Sequence, residues 1–246
     1  MNVDGKKFAV FDIDGTLIRW QLFHAIVHHL GKNGHISDDD YKKIKDSMMA
    51  WKDRNNQKSF DDYEDKLVSI YIKSLPNIKP IDYGLVVDQV FNQYKDQLFV
   101  YTRDLLAKLK SQGYFLIAIS GSQDEIVQKL ADYHGFNAAL GAHLVIKDGN
   151  YTGEITSPIF NKKVSLDNLV NQYNLSYQDS IGVGDTKSDI SMLQSVENAI
   201  AFNPNNDLFT AAKENKWQIV IERKNVVYTL QPSDNNYVLK GDDNGY

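Results

Sequence analysis

Two acidic residues, Asp12 and Asp14, stand one position apart at the end of an apolar run. The run begins at Phe8, and Gly15 and Thr16 follow the second acid. A continuous apolar run is typical of a parallel strand buried on both faces, and ligands of open α/β sheets bind beyond the carboxyl ends of such strands. Two carboxylates placed there, together with a hard cation, could hold and attack a phosphate. A solvated acidic turn is the alternative interpretation.

Three further polar groups lie just after apolar runs or at the start of a helical pattern. Ser120 follows the apolar run 114–119, Lys163 opens a helical pattern, and Asp185 follows the run that ends at Gly184. Because the carboxyl ends of parallel strands share one edge of a sheet, we expect these groups to meet the acidic pair. Their convergence favours a catalytic site over an isolated turn.

The elements that must position these residues alternate between strand and helix patterns. Predicted strands cover residues 7–12, 114–119, 180–184, 199–202 and 217–221, with a hairpin at 143–155. Ser122 and Glu125 fit a capping box, which predicts a helix directly after Ser120, and a further helix is predicted over 162–173. This alternation predicts an α/β fold with a doubly wound parallel sheet.

Residues 19–97 carry helical spacing and no strand-like run. Leu22, Ile26 and Leu30, for example, recur at intervals of four. We therefore predict an all-helical cap domain at 19–97, inserted into a core formed by 1–18 and 98–230. The stretch 231–246 is predicted to be a polar, loosely held C-terminal tail.

Composition excludes several classes of function. The chain has 246 residues, a formal net charge of -5 and no cysteine, so disulfides, thiolate catalysis and cysteine-ligated zinc are excluded. An acidic balance offers no basic field for nucleic acid or an anionic membrane surface. No apolar run reaches the length of about 18–20 residues that spans a bilayer, and no secretory signal opens the chain, so a cytoplasmic protein is expected.

The four groups together resemble the motifs of the haloacid dehalogenase superfamily of phosphohydrolases. D-x-D-G-T corresponds to Asp12–Thr16, the strand-ending serine to Ser120, the motif lysine to Lys163, and G-D-x-x-x-D to Gly184–Asp189. The helical insertion after the first motif and the hairpin before the lysine are similar to the phosphoserine phosphatase-like branch. The resemblance covers about 1–18 and 100–205, and it implies a phosphatase that hydrolyses a small phosphorylated metabolite.

The resemblance also implies roles for the acidic residues. Asp12 is expected to be the nucleophile that forms an aspartyl-phosphate, and Asp14 the acid for the leaving group and the base for water. The cofactor is expected to be Mg²⁺, held by the carboxylates of Asp12 and Asp185 and the backbone carbonyl of Asp14. Asp189, one helical turn after Asp185, would orient a water or the motif lysine. For Asp189, an acid placed only by the helix dipole is the alternative.

Phosphate oxygens are expected to contact Ser120 and the backbone N–H groups of Gly121 and Ser122, since the first N–H groups of a helix bind anions. Lys163 is expected to neutralise the phosphate or the nucleophile. Its neighbour Lys162 is the competing candidate for that role.

The substrate is less well defined. Gln21 stands where phosphoserine enzymes of the branch carry a glutamate for the substrate amine, which argues against phosphoserine. Arg54 and Arg19 are candidate anion-binding residues, and each is alternatively a surface arginine. His24 and His28, four apart, are expected to pack within the cap rather than bind metal.

Other functions of the same fold stay open at this stage. They are phosphotransfer to an acceptor other than water, cleavage of a C–P or C–halogen bond, and a non-catalytic metabolite-binding protein. The oligomeric state is not predicted.

Overall fold

The computed structural model describes residues 5–53, 56, 58–234 and 236–240. Its strands are β1 (Lys6–Phe11), β2 (Phe115–Gln123), β3 (Ala138–Lys147), β4 (Asn150–Thr156), β5 (Leu175–Gly184), β6 (Asn198–Phe202), β7 (Gln218–Arg223), β8 (Val226–Ser233) and β9 (Asn236–Leu239). Its helices are α1 (Leu22–Lys32), α2 (Asp38–Lys52), α3 (Ser59–Ser74), α4 (Pro80–Tyr94), α5 (Val100–Ser111), α6 (Asp124–His134), α7 (Lys162–Gln172), α8 (Ile190–Leu193) and α9 (Asn206–Asn215).

The strands of the described part form one sheet in the order β4-β3-β2-β1-β5-β6-β7-β8-β9. Six neighbouring strands, from β3 to β7 across β1, run parallel, whereas β4, β8 and β9 pair antiparallel. The predicted α/β fold built on a parallel sheet is thereby confirmed. The chain passes from β1 to β2 on one side and later returns to β5 on the other side. That reversal opens a crevice at the carboxyl ends of β1 and β5.

From Phe8 onward, strand β1 is buried on both faces, which explains the uninterrupted apolar run Phe8–Phe11. Successive side chains of a strand point to opposite faces, and the core divides accordingly. Ala9 and Phe11 pack in one apolar cluster, and Phe8 and Val10 pack in another with Leu166 of α7. The strand is therefore a rigid, central support for the acidic residues that follow it.

The four helices α1–α4 lie between β1 and α5 in the chain, and the described part of 19–97 contains no strand. Ser37 is the N-cap of helix α2, and its side chain accepts a hydrogen bond from the Asp40 N–H. Trp51 stacks on Tyr63 with ring centroids 5.5 Å apart, joining α2 to α3. We call residues 19–97 the cap segment; its standing as a separate domain stays a prediction. No helix in the described ranges is long and apolar enough to cross a membrane.

The C-terminal end differs from the expected polar tail. Residues 231–233 belong to β8, and β9 follows at 236–239, with Leu230 paired opposite Leu239. The Tyr237 hydroxyl donates to the carbonyls of Ala212 and Trp217, 2.8 and 2.7 Å away. These contacts attach the hairpin to α9 and the edge of β7, so the expectation of a loose tail is wrong for these residues. Residues 241–246 lie outside the described part.

Candidate active site

A buried lysine joins two aspartates at the crevice between β1 and β5. The Lys162 ammonium donates to Asp12 Oδ1 and Asp189 Oδ1, each at 2.6 Å, and to the Ile119 carbonyl at 3.0 Å. Lys162 is 1% exposed, Asp12 5% and Asp189 0%. Charges this deeply buried are stable only when they are paired, so the three side chains act as a unit.

The expectation that Lys163 is the motif lysine is corrected by this geometry. The Lys163 side chain is half exposed and forms a surface ion pair with Asp167 at 2.5 Å, one helical turn along α7. The buried side of α7 carries Leu166 and Leu169, which are four and seven residues after Lys162. Lys162 shares that face, and Lys163 is turned about 100° away from it. The same helical spacing, counted in the sequence, would have identified Lys162.

Asp189 fixes the loop that carries Asp185. Its second oxygen, Oδ2, accepts from the backbone N–H groups of Asp185 and Thr186 at 3.1 and 3.0 Å. Both oxygens of Asp189 are thus engaged by the protein. Asp185 itself accepts a hydrogen bond from the Thr16 hydroxyl at 3.3 Å. The structure therefore brings Asp12, Asp185 and Asp189 together, with Asp189 supporting the other two.

Gly15 is required for this approach. Its φ is +80°, a conformation that residues with side chains rarely adopt, and a Cβ at this position would overlap the Asp185 carboxylate. The glycine of the first motif therefore leaves room for the acid that follows β5.

Asp14 lies between the sheet and the cap segment. Its Oδ2 accepts from the Ser120 hydroxyl at 2.7 Å, and its Oδ1 accepts from the Leu22 N–H at 2.5 Å. Ser120 is fully buried, and its hydroxyl oxygen also accepts from the Ser122 N–H at 3.0 Å. Two of the groups predicted to meet, Asp14 and Ser120, are thus in direct contact.

The capping box predicted at Ser122 is wrong. Helix α6 begins at Asp124 after Gln123, without a side-chain cap, and the Ser122 hydroxyl accepts instead from the Phe23 N–H at 2.9 Å. Ser122 therefore links the carboxyl end of β2 to the first turn of α1. Nothing in the local sequence indicates this partner, because the cap segment supplies it.

Burial sets the protonation tendencies of the cluster. Burial raises the pKa of Asp12 to about 7, with the charge of Asp189 adding to the rise and Lys162 opposing it. Burial and the Asp12 charge likewise raise the pKa of Asp185 well above its usual range. Burial lowers the pKa of Lys162, but the charges of Asp12 and Asp189 outweigh it and leave that pKa raised. The lysine therefore stays protonated, and one cation serves more carboxylates than it can neutralise.

The cluster has the donor chemistry of a hard divalent cation. Asp12, Asp185 and Asp189 each place a carboxylate oxygen within 4.8 Å of the others. Oxygen donors and excess negative charge are what such a cation selects, and it would keep buried carboxylates ionised. Because both oxygens of Asp189 are already engaged, Asp12 and Asp185 are the carboxylates left to bind it.

The remaining candidates of the cap segment lie apart from this cluster. The Arg19 guanidinium donates to the buried Glu222 carboxylate at 2.7 Å, so it is neither an unpaired surface arginine nor directed at the acids. His28 Nε2 bonds the Tyr63 hydroxyl at 2.9 Å, which fits packing within the cap segment. Arg54 lies outside the described residues, and Gln21 precedes α1 without capping it.

Comparison with known proteins agrees with this architecture. The model of the haloacid dehalogenase-like hydrolase family matches residues 9–194. A phosphoserine phosphatase of Methanocaldococcus jannaschii is 26% identical over 200 residues, 80% of this chain and 85% of that protein. A histidinol-phosphatase of Neisseria meningitidis is 24% identical over 230 residues, 87% of this chain and 98% of that protein.

Solved structures agree in fold. A phosphoserine phosphatase carrying an analogue of the phospho-aspartyl intermediate superposes with a TM-score of 0.63 at 22% identity, covering 90% of this chain and 95% of that one. Some relatives are longer: the match spans 44% and 53% of two other phosphoserine phosphatases. With its family motifs gathered at one sheet edge, this chain belongs to the haloacid dehalogenase-like hydrolase family, in its phosphoserine phosphatase-like branch.

Proposed function

We propose that this protein is a Mg²⁺-dependent phosphatase that hydrolyses a small phosphomonoester through an aspartyl-phosphate intermediate. The observation that carries the proposal is the position of Asp12. Its carboxylate is buried, is bonded to Lys162, and stands at the switch point of the sheet two residues before Asp14. A carboxylate so placed needs no base to act as a nucleophile.

The first step is the attack of an Asp12 carboxylate oxygen on phosphorus. The new O–P bond forms as the bond from phosphorus to the leaving oxygen breaks, and the leaving alkoxide takes a proton from Asp14. In the second step, Asp14 accepts a proton from water, whose oxygen attacks phosphorus. Asp12 then departs as a carboxylate, inorganic phosphate is released, and Asp14 is again protonated.

The surrounding groups serve binding and orientation. Ser120 contacts Asp14 at 2.7 Å and, with the backbone N–H of Gly121, lies where phosphate oxygens would bind. Lys162 holds Asp12 in place and would balance the charge of the phosphate. Lys163 takes no part.

Asp12 and Asp185, with the backbone carbonyl of Asp14, would hold the Mg²⁺ ion. The ion supplies positive charge that offsets the repulsion between carboxylate and phosphate. Asp189 has no free oxygen for this purpose, and its role is to fix Lys162 and the Asp185 loop.

The proposed substrate is a small phosphorylated metabolite. Relatives of this chain are named for phosphoserine and histidinol phosphate, and Gln21 in place of a glutamate weakens the case for the first. Release of inorganic phosphate should therefore be measured over a panel of metabolite phosphates, with Mg²⁺ and with a chelator. A phosphotransferase would yield a phosphorylated acceptor instead, and a binding protein would yield neither.

The decisive variant in this assay is Asp12→Asn, which we expect to abolish phosphate release. Asp167→Asn is the matched control, because Asp167 is a surface carboxylate on α7 paired with Lys163. Phosphate release that persists in Asp12→Asn would refute the mechanism.

A further inference from the structure

Two chain segments run antiparallel to each other where the chain enters and leaves the cap segment. The Phe99 N–H donates to the Leu17 carbonyl at 3.0 Å, and the Arg19 N–H donates to the Gln97 carbonyl at 2.9 Å. Ile18 forms an antiparallel bridge with Leu98 between them. We call residues 17–19 and 97–99 the hinge pair, because any movement of the cap segment must pass through them.

A buried acid from the far end of the chain holds this hinge pair. Glu222 lies on β7, and its side chain is 3% exposed. Its Oε1 accepts from Arg19 Nη2 at 2.7 Å and from the Val100 N–H at 3.1 Å, and its Oε2 accepts from the Tyr101 N–H at 2.9 Å. One carboxylate thus joins residues 17–19, through Arg19, to the start of α5, which directly follows residues 97–99.

The arginine is fixed as well as paired. Its guanidinium carbon lies 5.4 Å from the centre of the Phe99 ring, and Phe99 belongs to the hinge pair. The Glu222 backbone N–H donates to Asn203 Oδ1 at 2.8 Å, which ties β7 to the end of β6. A charge-assisted pair of this kind, with a buried carboxylate and a partly exposed guanidinium, favours one orientation of its partners.

Hydrogen bonds connect the hinge pair to the loop that carries Asp14, the proposed general acid. The Gly15 N–H donates to the Ile18 carbonyl at 3.0 Å, and Asp14 bridges to Ile18. On the other side of Arg19, the Leu22 N–H donates to Asp14 Oδ1. Asp14 is therefore held by both Ile18 and Leu22, and Arg19 lies between these two residues in the chain.

We propose that Arg19 and Glu222 are positioning residues that set the orientation of the Asp14 carboxyl toward the leaving oxygen. They act through the hinge pair and the first turn of α1, and they do not touch the substrate. The inference rests on the proposed phosphatase function, in which Asp14 protonates the leaving group.

A misplaced acid has a kinetic signature that a merely structural defect lacks. Proton donation matters for a strongly basic alkoxide and much less for nitrophenolate, which leaves without help. The test compares kcat/KM, which reports the steps up to phosphorylation of Asp12, for an alkyl phosphate and for para-nitrophenyl phosphate in wild type, Arg19→Met and Glu222→Gln. We expect kcat/KM for the alkyl ester to fall about tenfold more than kcat/KM for the aryl ester.

Three controls sharpen the comparison. Lys129→Met removes an exposed ion pair with Asp88 that joins α6 of the core to α4 of the cap segment without involving the hinge pair or Glu222, and it should leave the ratio of the two kcat/KM values unchanged. Arg19→Lys should restore part of the ratio. In an Asp14→Asn background, Arg19→Met should cause no further selective loss, because the acid through which it acts is gone.

The outcomes separate the inference from the function on which it rests. A wild-type enzyme active on both esters, with a ratio that Arg19→Met and Glu222→Gln leave unchanged, overturns the positioning role and spares the phosphatase. Equal losses of kcat/KM on both esters also overturn it, because the aryl ester does not need the acid that Arg19 and Glu222 are proposed to orient. Wild-type protein inactive on every phosphate ester overturns the proposed function and the inference together.

Discussion

Replacing Lys162 with methionine removes the cation that lies between two buried carboxylates. Methionine is similar in length but cannot donate a hydrogen bond, so Asp12 and Asp189 would each lose a 2.6 Å contact. Removing one partner of a buried ion pair costs about 3–5 kcal/mol, because the remaining charge stays desolvated. A loss of this size is a large part of typical domain stability, yet it leaves room for a folded variant at moderate temperature.

Lys162→Met should also slow catalysis. Removing one group that stabilises developing charge lowers kcat by roughly 10²–10³-fold. Lys163→Met is the matched control, because Lys163 is the adjacent residue of the same type and pairs with Asp167 at the surface. An exposed pair contributes about 0–1 kcal/mol, so this variant should keep the stability and the kcat of the wild type.

Urea unfolding without divalent cation measures the first quantity, and steady-state phosphate release with Mg²⁺ measures the second. A larger loss for Lys163→Met than for Lys162→Met in either measurement would contradict the assigned role of Lys162. Unfolding of Lys162→Met at the same urea concentration as wild type would contradict it as well.

Two further predictions follow from local geometry. Gly15→Ala should lower the free energy of unfolding more than Gly149→Ala does, and calorimetry should show weaker Mg²⁺ binding. Both glycines have φ near +80°, and an alanine in that conformation costs about 1 kcal/mol. Only at Gly15 would the new Cβ also meet the Asp185 carboxylate. Equal effects of the two substitutions would contradict the steric argument. Burial lowers the pKa of His28 to about 4. Between about pH 6.5 and pH 4, His28 binds a proton in the unfolded chain but not in the folded chain. The free energy of unfolding therefore keeps its full value above about pH 6.5 and decreases as pH falls toward 4. His28→Asn should therefore show a smaller drop in unfolding free energy between pH 7.5 and pH 5 than wild type, with the NMR titration of His28, which bonds Tyr63, as the direct check; a normal His28 pKa would disprove it.

The sequence predicted those features that depend on the local order of apolar and polar residues. An apolar run followed by acids predicted β1 with Asp12 and Asp14 at its end, because burial on both faces leaves polar groups only beyond the strand. The gathering of Asp14, Ser120 and Asp185 at one edge followed from the shared direction of parallel strands. These expectations depend on chain direction and burial, and both are readable from residue types.

Other features depend on how distant elements pack. The choice between Lys162 and Lys163 is an exception, because counting back four residues from Leu166 along α7 identifies Lys162 as the inward lysine. The Ser122 hydroxyl bonds a residue of α1, and Glu222 reaches Arg19 across 203 positions of the chain. No short pattern encodes such contacts. The C-terminal strand β9 carries the short apolar run Tyr237–Leu239, but polar residues precede and follow it in the sequence, so the segment resembled a loose tail.

In the proposed mechanism, Asp12 becomes phosphorylated during each turnover. The most direct measurement is reduction of the enzyme with borohydride during turnover, followed by peptide mass spectrometry, because an acyl phosphate is reduced to an alcohol whereas a free carboxylate is not. With para-nitrophenyl phosphate, whose leaving group needs no acid, Asp14→Asn should increase the yield, since the base for the second step is then missing. We expect homoserine at position 12. Turnover with position 12 unreduced, or reduction at another aspartate, would contradict it.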